Sequence, residues 1–131
     1  MKPKWLDRRI SAPGPYLTLC LHEHEYTAAL KHLGIASDAA WISTPQSDAT
    51  AHLMRGKKGL SAVVCINNWQ GRDPVEIAGL LVHEAVHIWQ AWADYYGELN
   101  PGAEQEAYAI QGISQELMAD FARRMKQVGK S

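Results

Sequence analysis

Apolar and polar positions recur with two different periods along this chain, and each change of period marks an element. Residues 1–15 carry no period, and Pro3, Pro13, Gly14 and Pro15 block regular structure, so they read as an irregular arm ahead of one domain spanning 16–131. Residues 16–21, Tyr-Leu-Thr-Leu-Cys-Leu, have the apolar content of a short strand. From Glu23 to Leu33 the spacing of Tyr26, Ala29, Leu30 and Leu33 is helical, with Gly34 as the stop. Residues 35–47 fit neither period, although Trp41 and Ile42 suggest a short strand before Pro45. Residues 49–55 and 60–67 then read as a hairpin turning at Gly56-Lys57-Lys58-Gly59. The unbroken run Val63-Val64-Cys65-Ile66 suits a central strand, which leaves residues 49–55 as the edge.

Helical periodicity returns after a loop at 68–73. Asp73 is a capping residue, Pro74 suits a first helical position, and Glu76 places a carboxylate in the first turn. The helix they open extends to near Gly97, with an apolar face of Val75, Ala78, Leu81, Val82, Ala85, Ile88, Trp89, Trp92 and Tyr96. Asn100-Pro101-Gly102 breaks the chain. A last helix over 103–126 would turn Ala107, Ile110, Ser114, Leu117, Met118, Phe121 and Met125 inward. This order of elements predicts an α+β fold, a small antiparallel or mixed sheet packed on helices.

The apolar helix carries one polar or small stripe, through Glu76, Gly79, His83, His87, Gln90 and Asp94. Within it stands His83-Glu84-Ala85-Val86-His87, an H-E-x-x-H pentapeptide. Residues four apart lie on one helical face, so both imidazoles can reach a single ion. Zn2+ accepts imidazole nitrogen and, in catalytic sites, takes three protein ligands and one water. Glu84 is turned about 100° from His83, where it can reach that water rather than the ion. This is the arrangement for metal-assisted hydrolysis, with His83 and His87 as ligands and Glu84 as general base.

A third ligand is expected from Glu104-Gln105-Glu106-Ala107-Tyr108, at the start of a helix that can fold back on the first. Glu104 and Glu106 point about 200° apart on a helix, so only one can face the ion. Glu104 shares its side with Tyr108 and Gln111, a polar lining, and is the preferred candidate; Glu106 is the alternative.

At this point the chain resembles the gluzincin metallopeptidases, in which H-E-x-x-H is followed by a glutamate ligand on a later helix. The order of sheet, motif helix and glutamate helix over roughly residues 48–126 is similar to their smallest members, the minigluzincin-type peptidases. Glu104-x-x-Ala107-Tyr108 is similar to an E-x-x-A-[D/N] signature, with Tyr108 where Asp or Asn is usual. The Glu-x-Glu-Ala-Tyr run and the size are also similar to proteins encoded by bacterial phages and prophages. The resemblance implies a zincin-like core, a Zn2+ cofactor, a peptide or protein substrate, and substrate alignment along the edge strand at 49–55. It also implies a Tyr or His donating to the developing oxyanion; Tyr108 is the named candidate, with Tyr95 and Tyr96 as competitors.

Composition narrows the partners. With 131 residues, 47% hydrophobic and 21% charged, the chain has the make-up of one globular domain. A formal net charge of −1 gives no electrostatic case for nucleic acid or an anionic membrane. No signal peptide or membrane span is recognisable, so a cytoplasmic location is expected, with Cys20 and Cys65 as buried free thiols rather than a disulfide between neighbouring strands. His22, His24, His32 and His52 are scattered and read as surface or capping residues. The competing functional reading is a non-catalytic or latent zinc-binding interaction module, its arm laid across the cleft.

Overall fold

The computed structural model describes residues 17–44, 46–56, 59–95, 97, 100 and 102–128. The arm at 1–15, with Tyr16 and Tyr96, lies outside the described residues. Six elements follow in chain order: β1 (Leu17–Cys20), α1 (Glu23–Leu33), β2 (Ala49–Gly56), β3 (Gly59–Ile66), α2 (Pro74–Tyr95) and α3 (Ala103–Val128). The fold is α+β, with a mixed three-stranded sheet in the order β1-β3-β2. β1 runs parallel to β3 with Leu17 opposite Ala62, and β2 runs antiparallel to it with Ala51 opposite Val64.

Both faces of the sheet are covered, which explains the unbroken apolar run in β3. Leu17, Leu19, Ala62, Val64 and Ile66 pack with Leu81, Ala85 and Ile88 of α2 and Ile113, Leu117 and Phe121 of α3. The alternate residues Cys20, Val63 and Cys65 pack on the other face with Tyr26 and Ala29 of α1 and with Ile42. Because side chains alternate along a strand, a central strand between two helical layers needs apolar residues at every position. β2 forms one edge of the sheet and β3 its centre, as the pattern predicts. Cys20 and Cys65 are opposite each other on adjacent strands, and both are free and buried. The hydrogen bond with Cys20, then burial, pushes the Cys65 thiol well above its ordinary range.

Three expectations are corrected. Residues 41–44 form bends rather than a strand. Their backbone groups go to side chains instead of a ladder: Ser43 N–H donates to Thr50 Oγ1 at 2.9 Å, and the Trp41 carbonyl meets His52 Nε2 at 2.9 Å. On α2, Val75 is 78% and Val82 38% exposed, while Ile77, absent from the expected face, is buried. The core lies on the side shared by Ile77, Leu81, Ala85 and Ile88, and Val75 and Val82 fall on the flank of that arc. On α3, Ala107 is exposed and Ile113 takes the inward place.

Local signals set the helix ends. Gly34 closes α1 in the left-handed region (φ 69°), with its N–H on the carbonyls of Leu30 and Lys31. Asp73 caps α2 as expected, its Oδ1 accepting from Val75 N–H at 2.8 Å. Long-range polar contacts then fix the layers. Trp69 Nε1 donates to the Leu21 carbonyl at 2.9 Å. From α3, Arg124 donates to the Leu19 carbonyl at 3.0 Å and forms an ion pair with Glu25 of α1, while Asp120 pairs with Arg123.

Glu25 and Arg124 are 16% and 18% exposed, so removing one leaves the other poorly solvated. Burial acts to raise the Glu25 carboxyl, but the Arg124 hydrogen bond, the Leu21 N–H and the Arg124 charge together hold it below its ordinary value. A depressed folded pKa stabilises the fold above the ordinary carboxylate value, and that stability is lost as pH falls through the folded one. Urea unfolding is expected to show Arg124→Ala losing about 3 kcal/mol at pH 7. Glu25→Gln should lose stability at pH 7 and should then lose less than the parent on acidification to pH 3. A Glu25→Gln protein with the same acid sensitivity as the parent removes this pair from the account.

Candidate metal and hydrolytic site

α2 lies beside the edge strand β2, and ion pairs join them at both ends. Arg72, just before α2, meets Asp48 at 3.1 Å, and Arg55 at the end of β2 meets Asp94 at 3.7 Å. The two elements therefore run in the same direction, and the polar stripe of α2 faces away from the core. A cavity of about 480 Å3 opens between the start of β2 and the first half of α2. Asp48, Arg72, Glu76, Gly79, His83 and Glu84 are among its lining residues.

His83 and His87 converge at the end of this cavity. Their Nε2 atoms are 3.1 Å apart and their rings meet edge to face, with centroids 4.8 Å apart. Tetrahedral zinc, with nitrogen at about 2.0–2.1 Å, separates two ligand nitrogens by roughly 3.3 Å. The pair therefore fits two of the four positions without rebuilding the helix. His87 Nδ1 also lies 3.2 Å from Gln90 Oε1. A proton on Nδ1 donated to that oxygen leaves the Nε2 lone pair free for an ion. Gln90 was visible in the sequence only as a member of the polar stripe; its position three residues after His87 was the available signal for this orienting role.

Glu84 differs from its neighbours in burial. It is 5% exposed, between two exposed histidines, and no described residue donates it a hydrogen bond. Burial pushes its carboxyl above the ordinary range, against the opposing charges of His83, His87 and His52. A carboxylate made more basic in this way, and open to a cavity, is suited to taking a proton.

The remaining candidates are less gathered. Among the described residues, no group of three or more His, Cys, Asp and Glu side chains is placed to hold a metal ion. Glu104 and Glu106 occupy the first turn of α3, both exposed. The Glu106 carboxylate accepts from Trp89 Nε1 at 2.8 Å. Tyr108 is 68% exposed. The Tyr95 ring lies under the Arg55 guanidinium at 5.0 Å. His52 is bonded to the Trp41 carbonyl, and His22 and His24 stack on each other with centroids 5.3 Å apart.

Asp48 and Arg72 were not anticipated as lining residues. Asp48 precedes β2 and Arg72 precedes α2, so only the docking of strand on helix brings them together. No described helix is long and apolar enough to cross a membrane. Compared with protein-family models, with curated proteins and with solved structures, the chain matches none.

Proposed function

We propose that this protein is a zinc-dependent hydrolase of peptide bonds, with a zincin-like core, in which His83 and His87 are ligands and Glu84 is the general base. The observation that carries the reading is the convergence of the two Nε2 atoms at 3.1 Å beside a buried carboxylate that no described residue bonds. Zinc, when bound, supplies Lewis-acid polarisation of the scissile carbonyl and a more acidic water, with a pKa near about 7.

The chain's own residues do the rest. The His87 ring is held in place by Gln90, and Glu84 is packed into α2 at 5% exposure while it lines the cavity. Glu84 accepts a proton from the attacking water as the new C–O bond forms. It returns that proton to the amine nitrogen as the C–N bond breaks. The edge of β2, unpaired among the described residues, offers backbone groups to an extended substrate. Glu104, or alternatively Glu106, supplies the third ligand, and Tyr108 is the candidate donor to the oxyanion.

Metal analysis and a peptide-library digest test the reading together. Purified protein is expected to carry about one zinc per chain and to cleave a subset of the library. A chelator should stop cleavage and added zinc restore it. Zinc bound with no peptide cleaved would leave a binding module in place of an enzyme, and no zinc at all would remove the proposal.

A further inference from the structure

We propose that Cys20 and Cys65 form a redox latch: a low-molecular-weight disulfide, such as oxidised glutathione, converts the two thiols into a disulfide that fastens β1 to β3. The proposal is independent of the hydrolase reading, because the pair lies on the face of the sheet turned away from α2.

Register sets this pair apart. A buried cysteine by itself is a small apolar core residue. Here Cys20 is paired directly with Cys65 in a parallel ladder, and both side chains enter the same cluster under α1. Neighbouring strands lie about 4.8 Å apart. A disulfide needs Cα atoms roughly 4.4–6.8 Å apart, so the strand spacing itself meets that requirement. The two thiols already meet in a hydrogen bond.

The place of the pair gives the bridge a consequence. β1 is only four residues long and forms an edge of the sheet. Cys20 is its last residue, and the chain enters α1 at Glu23. A bridge fastens that junction to the central strand and closes a loop that carries α1 and β2.

Packing controls access. Cys20 and Cys65 are buried, with Tyr26, Ala29 and Ile42 packed against them. The Tyr26 hydroxyl donates to the Ala39 carbonyl at 3.0 Å, in an irregular segment whose residues 36–40 are exposed. The mutual hydrogen bond and burial keep the Cys65 thiol protonated, so the closed protein holds the pair unreactive. Local opening of the α1 layer bares both sulphurs together. One thiolate then attacks the reagent, giving a mixed disulfide and releasing one glutathione as its thiol. The second sulphur displaces the other glutathione. Two protein S–H bonds are lost and one S–S bond is gained, while two electrons and two protons pass to the reagent, which leaves as two thiols.

The test incubates the folded protein with oxidised glutathione at mildly alkaline pH. Intact mass, free thiols counted after denaturation, and melting temperature are read together. The expected product has lost two hydrogens, carries no glutathione, shows no free thiol and melts about 5–15 °C higher. Dithiothreitol should return the mass and the melting temperature to their starting values. Cys20→Ala and Cys65→Ala proteins should stop at the free thiol or the mixed disulfide and gain no melting temperature. Should either variant fold poorly, the mass and thiol count of the parent decide by themselves. Thiols that react only once urea has unfolded the chain, a glutathione adduct that persists on the parent, or a bridged protein that melts no higher than the reduced one each overturn the latch.

Discussion

Glu84→Gln protein is expected to bind zinc as the parent does and to cleave peptides about 10³-fold more slowly. The amide keeps the length and shape of the carboxylate in a position that is only 5% exposed, so packing around α2 is undisturbed. It cannot accept and return the proton. The substitution also removes a buried carboxyl whose ionised form is disfavoured by burial, so thermal stability at neutral pH should rise rather than fall. A loss of activity with unchanged zinc and higher stability separates a chemical role from a structural one. His83→Ala/His87→Ala serves as the contrasting control, because it should lose the metal and the activity together. Equal cleavage rates in Glu84→Gln and the parent would assign the proton transfer to another group.

The elements of this fold were legible wherever their cause is local. Gly34 and Asp73 mark helix ends through their own backbone and side-chain chemistry. Val63 to Ile66 identifies the central strand because both faces of the sheet are covered. Features set by docking were not legible. The two sides of α2 that receive β2 and α3 leave Val75 and Val82 exposed, and nothing within the helix reports where its neighbours sit. Arg124 and Glu25 stand 99 positions apart, and their pairing depends on α3 crossing β1 next to the start of α1. The same division runs through the site. Spacing of four on a helix brings His83 and His87 together and turns Glu84 beside them, whereas Asp48 and Arg72 join the cavity only through the docking of β2 on α2.

Which carboxylate completes the proposed site depends on docking too, and the structure makes Glu104 and Glu106 separable by experiment. Glu106 is bonded to Trp89 Nε1 at 2.8 Å. Trp89 lies about 200° around α2 from His87 and about 240° from His83, so this bond holds Glu106 on a flank of α2 away from the imidazoles. Glu104, about 200° from Glu106 on α3, faces another flank and has no such tie among the described residues. Glu104→Ala is therefore expected to weaken zinc binding by more than about 100-fold, a larger loss than removing a group that merely supports a ligand. Glu106→Ala should leave zinc affinity nearly unchanged while lowering stability by about 1–2 kcal/mol, since it strands the Trp89 indole N–H in a side chain that is 4% exposed. Zinc titration and urea unfolding on the two variants give four numbers. A zinc loss confined to Glu106→Ala would mean that the carboxylate leaves Trp89 when the metal binds. Small, equal zinc losses in both would place the third ligand outside the first turn of α3.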